Sequence, residues 1–292
     1  MSRDANASAL RTLLRSLGQI VLQAHAGTGA CVLAALALTD WRLACAALLG
    51  ATAANVCAQV NGHAGAAIRE GRAGFNGALA GLAAQSVMGD ASTAAAVALI
   101  AGGASAWIAP LLERPLARAR LALYSTPCLI VTWLWLPMRA NVAADAAFVA
   151  DFVHKHAALN PIASVLGGLA QTVFATGAAP GACVLAGLAL SSRRAASFAL
   201  CGATFATALE FACGAPYADL DAGLAGFNGA LAALATHTLG ARAAFCATML
   251  AAALHRLAAH YGLPALTAPF VLASWSAHLA ARRWRGHASA AH

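Results

Sequence analysis

Charge is what this sequence has least of. Asp, Glu, Lys and Arg together make up 10% of its 292 residues, against about a quarter in a typical soluble domain. A chain so poor in charge cannot cover itself with a solvated surface, which excludes an ordinary water-soluble globule. Acid is the scarcer sign, with 10 Asp and Glu against 18 Lys and Arg. No CxxC pair, HExxH or His/Cys cluster occurs, so neither a metal site nor a disulfide framework is expected. The stretch Met1–Arg15 lacks the short apolar core of a cleavable signal peptide. Insertion is therefore expected to use the first hydrophobic segment itself.

Apolar side chains are abundant instead, at 61% of the residues, with a mean hydropathy of +0.72. Runs such as Ala44–Val60, Thr93–Leu112 and Ala243–Leu254 alternate with short polar breaks. About ten such runs fit in the chain, several shorter than the roughly 20 residues that span hydrocarbon. Short runs broken by Gly or Pro at matching places in two halves point to discontinuous helices lining a site. Most of the eight cysteines lie inside apolar runs (Cys31, Cys57, Cys183, Cys201) and read as small buried apolar residues. Many histidines fall near loops and the C-terminus (His154, His156, His255, His260, His287, His292). The net charge of +8 is spread singly or in small groups between apolar runs. That distribution reads as a topology signal rather than a nucleic-acid footprint.

The chain repeats itself. Leu17–Leu38 reads LGQIVLQAHAGTGACVLAALAL and Leu169–Leu190 reads LAQTVFATGAAPGACVLAGLAL, an offset of 152. At the same offset Gly50–Thr52 meets Gly202–Thr204, and Ala73–Ala83 (AGFNGALAGLA) meets Ala225–Ala235 (AGFNGALAALA). Ser125–Trp133 (STPCLIVTW) and Thr267–Trp275 (TAPFVLASW) match at offset 142, so the second half is ten residues shorter between these two motifs. The repeat divides the chain into a first half over 1–138, a linker over 139–160 and a second half over 161–292.

Charge then orients the halves. With five spanning elements per half and a cytoplasmic N-terminus, the inside carries Arg3, Arg11, Arg15, Arg69, Arg72, Arg114, Arg118, Arg120, Arg193, Arg194, Arg242, Arg282, Arg283 and Arg285. The outside carries Arg42, Arg139, Lys155 and Arg256. That distribution puts 14 of the 18 basic residues inside, a strong positive-inside bias. An odd number of spans per half makes the halves inverted, with both termini cytoplasmic and the linker outside. The expected fold is an all-α membrane protein of two inverted repeats, each with about five spanning helices and broken, pore-lining half-helices.

Three paired features can carry chemistry. In the GFNG motifs, Gly74, Gly77 and Gly81 permit close helix approach. Phe75 and Phe227, each followed by an Asn, lie across the pseudo-twofold axis and either wall flat slots or fill core. Pro127 and Pro269 are expected to break or kink helices at membrane depth and to free carbonyls there. Ser125 and Thr267, two residues earlier, either add an oxygen to a pore or satisfy their own backbone. Gln19 and Gln171 open apolar stretches and are either interfacial or suppliers of a carbonyl to a pore mouth. Aromatic walls accept a planar molecule, neutral oxygens accept N–H groups, and none of these positions is charged, which disfavours ions. Urea, short amides and water all remain open on this chemistry.

The repeated GFNGALAGLA/GFNGALAALA and the pre-proline motifs ending in Trp133 and Trp275 resemble those of urea transporters of the bacterial channel type. The resemblance covers nearly the whole chain. It implies a homotrimer in the plasma membrane (a bacterial inner membrane), each subunit holding its own urea pore, with urea and lipid as partners, no nucleic acid and no cofactor. By that resemblance Phe75 and Phe227 sandwich urea, and Leu79 and Leu231 constrict the middle. Ser125 and Thr267 line the constriction, and Gln19 and Gln171 contribute oxygens at the mouths. Ile20, Leu22, Thr172 and Phe174 complete the implied pore lining. Ser125 departs from the usual threonine, and Leu22 stands where its mate Phe174 keeps an aromatic.

Two other classes compete with a passive channel. An ion- or proton-coupled transporter of a small neutral amide needs intramembrane acids. Only Glu210 qualifies, and its repeat position holds Ala58, so it reads as a near-interface or packing residue. A membrane-embedded enzyme needs a nucleophile, base or metal set, and none is legible; the chain is not expected to be an enzyme.

Overall fold

A computed structural model describes residues 3–139 and 160–290. Of the expected linker, residues 140–159 lie outside the described residues. Alanine, the best helix former, dominates the apolar runs, and they fold as fourteen α-helices with no strand among the described residues. Helices keep every backbone hydrogen bond within their own segment, which a lipid solvent demands. The first half holds α1 (Arg3–Ile20), α2 (Ala26–Thr39), α3 (Trp41–Val60), α4 (Gly65–Arg69), α5 (Phe75–Val87), α6 (Ala91–Arg118) and α7 (Thr126–Trp135). The second holds α8 (Pro161–Gln171), α9 (Ala178–Ser191), α10 (Arg193–Ala212), α11 (Tyr217–Asp221), α12 (Phe227–Thr236), α13 (Ala241–His260) and α14 (Ala268–Ala290). The two series pair in order. α6 has 28 residues against 20 in α13, which accounts for most of the ten-residue shortfall between the second-half motifs.

Polar residues at the breaks start the helices. Asp40 accepts from Arg42 N at 2.9 Å to open α3, and its repeat mate Ser192 accepts from Ala195 N at 3.2 Å to open α10. Asp90 caps α6 through Thr93 N at 2.7 Å. Hydrogen bonds from Ser92 and Thr93 hold its carboxyl down at about 2, so the cap stays charged at the positive end of the helix dipole.

Small residues set the packing distances. A Cβ on Gly50 would fall 2.0 Å from Gly77 O, one on Gly77 2.3 Å from Gly50 O, and one on Gly81 2.2 Å from Ala46 O. α3 and α5 therefore touch backbone to backbone. The second half repeats the approach, with Gly202 opposite Gly229 O at 2.6 Å. Close contact of this kind replaces hydrophobic driving force between helices in lipid.

Across the junction of the halves, α2 and α9 run antiparallel. Thr28 Oγ1 donates to Gly187 O at 2.6 Å, Thr176 N to Thr39 Oγ1 at 3.2 Å, and Ser191 Oγ to Gln23 Oε1 at 2.8 Å. Each contact joins the start of one helix to the end of the other, so these repeat mates point in opposite directions. Trp133 Nε1 donates to Pro264 O and Trp275 Nε1 to Ala122 O, both at 2.8 Å. The same contact is made twice, once from each half to the other, as a twofold axis between them requires.

The outer face is apolar. Ile100, Leu111 and Leu134 are more than 70% exposed, and α3, α6 and α10 are each long and apolar enough to cross a membrane. The cysteines are less buried than their apolar runs imply: Cys201 is exposed, and Cys31, Cys57 and Cys183 are half-buried. On a lipid-facing surface a small apolar thiol needs no burial in protein. The prolines also differ from expectation. Pro127 sits in the first turn of α7 and Pro269 is the second residue of α14. Both start helices rather than kink them, because the missing amide there would have no partner anyway.

Candidate solute pathway

Four left-handed residues, two in each half, frame the site. The chain leaves α1 through Leu22 at φ 60° and α8 through Phe174 at φ 62°, and it enters α7 and α14 through Tyr124 and Leu266, both at φ 47°. Non-glycine residues rarely hold this conformation, and where they do the surroundings enforce it. Here the enforcing contacts are visible. Asn76 Nδ2 donates to Tyr124 O at 3.1 Å while its Oδ1 accepts from Cys128 N at 3.2 Å. Asn228 Nδ2 donates to Leu266 O at 3.1 Å while its Oδ1 accepts from Phe270 N at 3.1 Å. Each asparagine thus bridges the first turn of a following helix, α7 or α14, and fastens it to α5 or α12. This explains why both motifs carry Asn after Phe, and the clamp sets Phe75 close to Ser125.

At the centre, Ser125 Oγ and Thr267 Oγ1 share a hydrogen bond of 2.7 Å. Both residues are buried, and they meet from opposite halves. Around them lies a cavity of only about 10 Å³, lined by Ile20, Leu22, Phe75, Leu79, Ser125, Thr172, Leu231, Thr267 and Phe270. That is room for about one water. Thr172 spends its hydroxyl on Leu169 O at 2.6 Å, while its repeat mate Ile20 is apolar. Leu79 and Leu231 are buried in this wall.

Thr267 also lines a wider vestibule of about 270 Å³, together with Gln171, Phe174, Leu224, Phe227, His255 and Leu266. Gln171 Nε2 donates to Ala222 O at 3.0 Å, and Gln19 Nε2 to Glu70 O at 3.2 Å. The donors are engaged in the same way in both halves, and each Oε1 is left uncommitted among the described residues. The expected pore residues therefore gather as two adjoining spaces. Gln19 alone lines neither, though it is half-buried beside the first-half turn.

Two residues near the site, Phe270 and His255, are not singled out by the sequence as lining it, and Glu210, read there as near-interface or packing, takes a more specific place. Phe270 lines the narrow cavity and stacks edge-on with Tyr124 at 5.1 Å, but its repeat mate is Cys128, so no pairing flagged it. His255 and Glu210 likewise lack repeat partners of their own kind. Glu210 is buried rather than interfacial. Its Oε1 lies 3.0 Å from His255 Nδ1, and its Oε2 lies 4.0 Å from Arg256 Nε. Arg256 also donates to the carbonyls of Cys213 and Gly214. His255 sits within the last two turns of α13, with its ring nearly perpendicular to Phe227 at 5.7 Å.

No group of three His, Cys, Asp or Glu side chains able to hold a metal occurs among the described residues. The site offers flat aromatic faces, neutral oxygens and a central cavity with room for about one water. Its neutral oxygens can accept N–H groups. No curated protein sequence matches the chain closely enough to count as a relative. The model of the urea transporter family matches residues 10–282, a span that takes in both motif pairs and every residue of the two spaces. The chain belongs to the urea transporter family.

Proposed function

We propose that this urea transporter works as a passive channel. Urea passes down its gradient, in either direction, through a passage that runs between Phe75 and Phe227. The observation that carries this reading is the Ser125–Thr267 hydroxyl pair in a constriction whose lining is wholly neutral. The flat solute passes the Phe174 and Phe227 rings of the vestibule and the Phe75 ring of the central cavity, whose side chains part to let it through without its water. Its N–H groups exchange water for the two hydroxyl oxygens and, at the mouths, for the carbonyls of Gln19 and Gln171. Leu79 and Leu231 exclude anything wider.

Ion coupling requires groups that bind Na⁺ or exchange protons along the path; the narrow cavity has none, and the vestibule lining has one, His255. Glu210 lines a separate pocket with Asp219, Arg256 and His260. A neutral solute also gains nothing from the membrane potential, because no charge moves through the field. In the same reading the protein is a plasma-membrane homotrimer with one pore per subunit, with repeats over 1–138 and 161–292. Both termini face the cytoplasm and the linker over 139–160 lies outside. Contacts such as Arg15 to Arg69 O, Arg194 to His237 O and Arg282 to Ala119 O join segments assigned to one side, which supports that sidedness.

The test is urea uptake into proteoliposomes with imposed pH, sodium or potassium-diffusion gradients. Uptake that follows the urea gradient alone is expected. Accumulation above the external urea concentration under any imposed gradient would overturn the channel and favour the coupled transporter.

A further inference from the structure

The two mouths of the passage are not chemically equal. At the second-half mouth the buried carboxylate of Glu210 holds His255 Nδ1 at 3.0 Å. The side chain of Glu210 is 4% exposed and that of His255 20%. The repeat mate of Glu210 is Ala58, which packs with Ala54 and Ala106 against Cys57, Ile68 and Ala73. The fold therefore closes at the Ala58 position without a carboxylate, and a buried carboxylate is costly unless paired. The pair is extra chemistry that one half carries and the other does not.

His255 turns that chemistry towards the solute. Glu210 and Arg256 face a different pocket, whereas His255 lines the vestibule with Phe227, Gln171 and Thr267. A carboxylate only accepts, so Nδ1 carries the proton facing it. In the tautomer that carries its proton on Nδ1 alone, Nε2 is a lone-pair acceptor, and it makes no hydrogen bond among the described residues. One wall of the vestibule is the flat ring of Phe227. The adjoining wall, nearly perpendicular to it, carries an uncommitted acceptor nitrogen.

We propose that His255, oriented by Glu210, is a solute-binding residue at the Phe227 mouth, where its Nε2 accepts an N–H of urea before the solute enters the constriction. The inference rests on the channel reading above. Glu210 is a positioning residue: it fixes which ring nitrogen is the acceptor and does not touch the solute. No Glu–His pair occupies the matching place in the first half, where Ala58 stands for Glu210, so the two entrances differ in affinity.

The experiment is urea flux in proteoliposomes as a function of urea concentration, for wild type, His255→Phe, His255→Gln and Glu210→Gln. His255→Phe keeps a flat ring and removes the acceptor. It should raise the half-saturating urea concentration by about two- to tenfold, the range of one lost neutral hydrogen bond, with maximal flux retained. His255→Gln can donate to Glu210 and offer its own carbonyl, so it should recover most of the loss. Glu210→Gln keeps the packing but can donate to Nδ1 as well as accept from it, so the ring proton is no longer pinned to Nδ1 and Nε2 is an acceptor only part of the time. It should raise half-saturation with the ring still in place, a change that loss of packing would not produce.

If wild type conducts urea and all three variants keep its half-saturation, the proposal is overturned. It is overturned equally if His255→Gln is as impaired as His255→Phe. Should His255→Phe fail to assemble, His255→Gln and Glu210→Gln decide the question. A wild-type protein with no urea conductance would instead overturn the channel reading itself.

Discussion

Ser125 Oγ and Thr267 Oγ1 lie 142 residues apart in the chain and 2.7 Å apart in space. Each hydroxyl is the other's partner, and both line the small central cavity. An O–H that donates to its neighbour still has a lone pair to offer. The pair can therefore satisfy itself at rest and accept from a passing N–H without leaving a buried group unpaired. Replacing one member alone strands the other, at about 1–3 kcal/mol.

The first prediction follows from that coupling. Thr267→Val and Ser125→Val each lower the thermal midpoint in detergent, and the double variant is less destabilised than the sum of the singles. Urea flux through the double variant falls about tenfold or more, because both constriction acceptors are gone. Normal flux in the double variant would show that the hydroxyls serve only each other.

Phe75→Ala and Phe227→Ala form the second prediction. Each removes one flat wall while the asparagine clamp beside it stays intact. Both variants should assemble as the wild type does on size exclusion and lose most urea flux in a swelling assay. Full flux in either assembled variant would show that its ring is packing, not slot.

Helix spacing yields the third prediction. Gly50→Ala sets a methyl 2.0 Å from a backbone oxygen of α5, with nothing flexible to give way. It should destabilise by about 1–3 kcal/mol or more. Gly103→Ala meets only the sulfur of Cys57, at 3.0 Å, and should cost clearly less. Equal thermal midpoints for the two variants would contradict backbone contact between α3 and α5.

How far the sequence alone reaches is instructive at particular residues. Repeated motifs reveal pairs, so Phe75 with Phe227 and Ser125 with Thr267 were legible before any coordinates. The same logic is blind to unpaired residues such as Phe270 and His255, and it leaves Glu210 between an interfacial and a packing role, of which burial fits the second. It also could not read the asparagines. Asn76 and Asn228 act on backbone groups 48 and 38 residues away, and no local pattern announces such a contact. The prolines were misread for a related reason. Whether a proline kinks a helix or starts one depends on where the helix begins, and the left-handed residues Tyr124 and Leu266 set that point.

The last prediction concerns sidedness, and the repeat supplies a matched pair of probes for it. Asn61 ends α3 and Cys213 ends α10. They are repeat mates at offset 152, and both are exposed. In halves related by inversion these two positions face opposite sides of the membrane; in halves of the same orientation they face the same side. The antiparallel run of α2 against α9 argues for inversion. The basic residues then decide which side is which, because Arg69 and Arg72 lie near Asn61 in the chain while Arg256 bonds the carbonyl of Cys213. By the positive-inside rule Asn61 is cytoplasmic and Cys213 is outside. The check uses a variant that keeps only Cys213 of the eight cysteines and a cysteine-free variant carrying Asn61→Cys. A membrane-impermeant maleimide added to intact cells should label Cys213 and spare position 61 until the membrane is opened. Labelling of both from outside would remove the inverted repeat, and labelling of position 61 alone would keep the inversion and reverse the orientation.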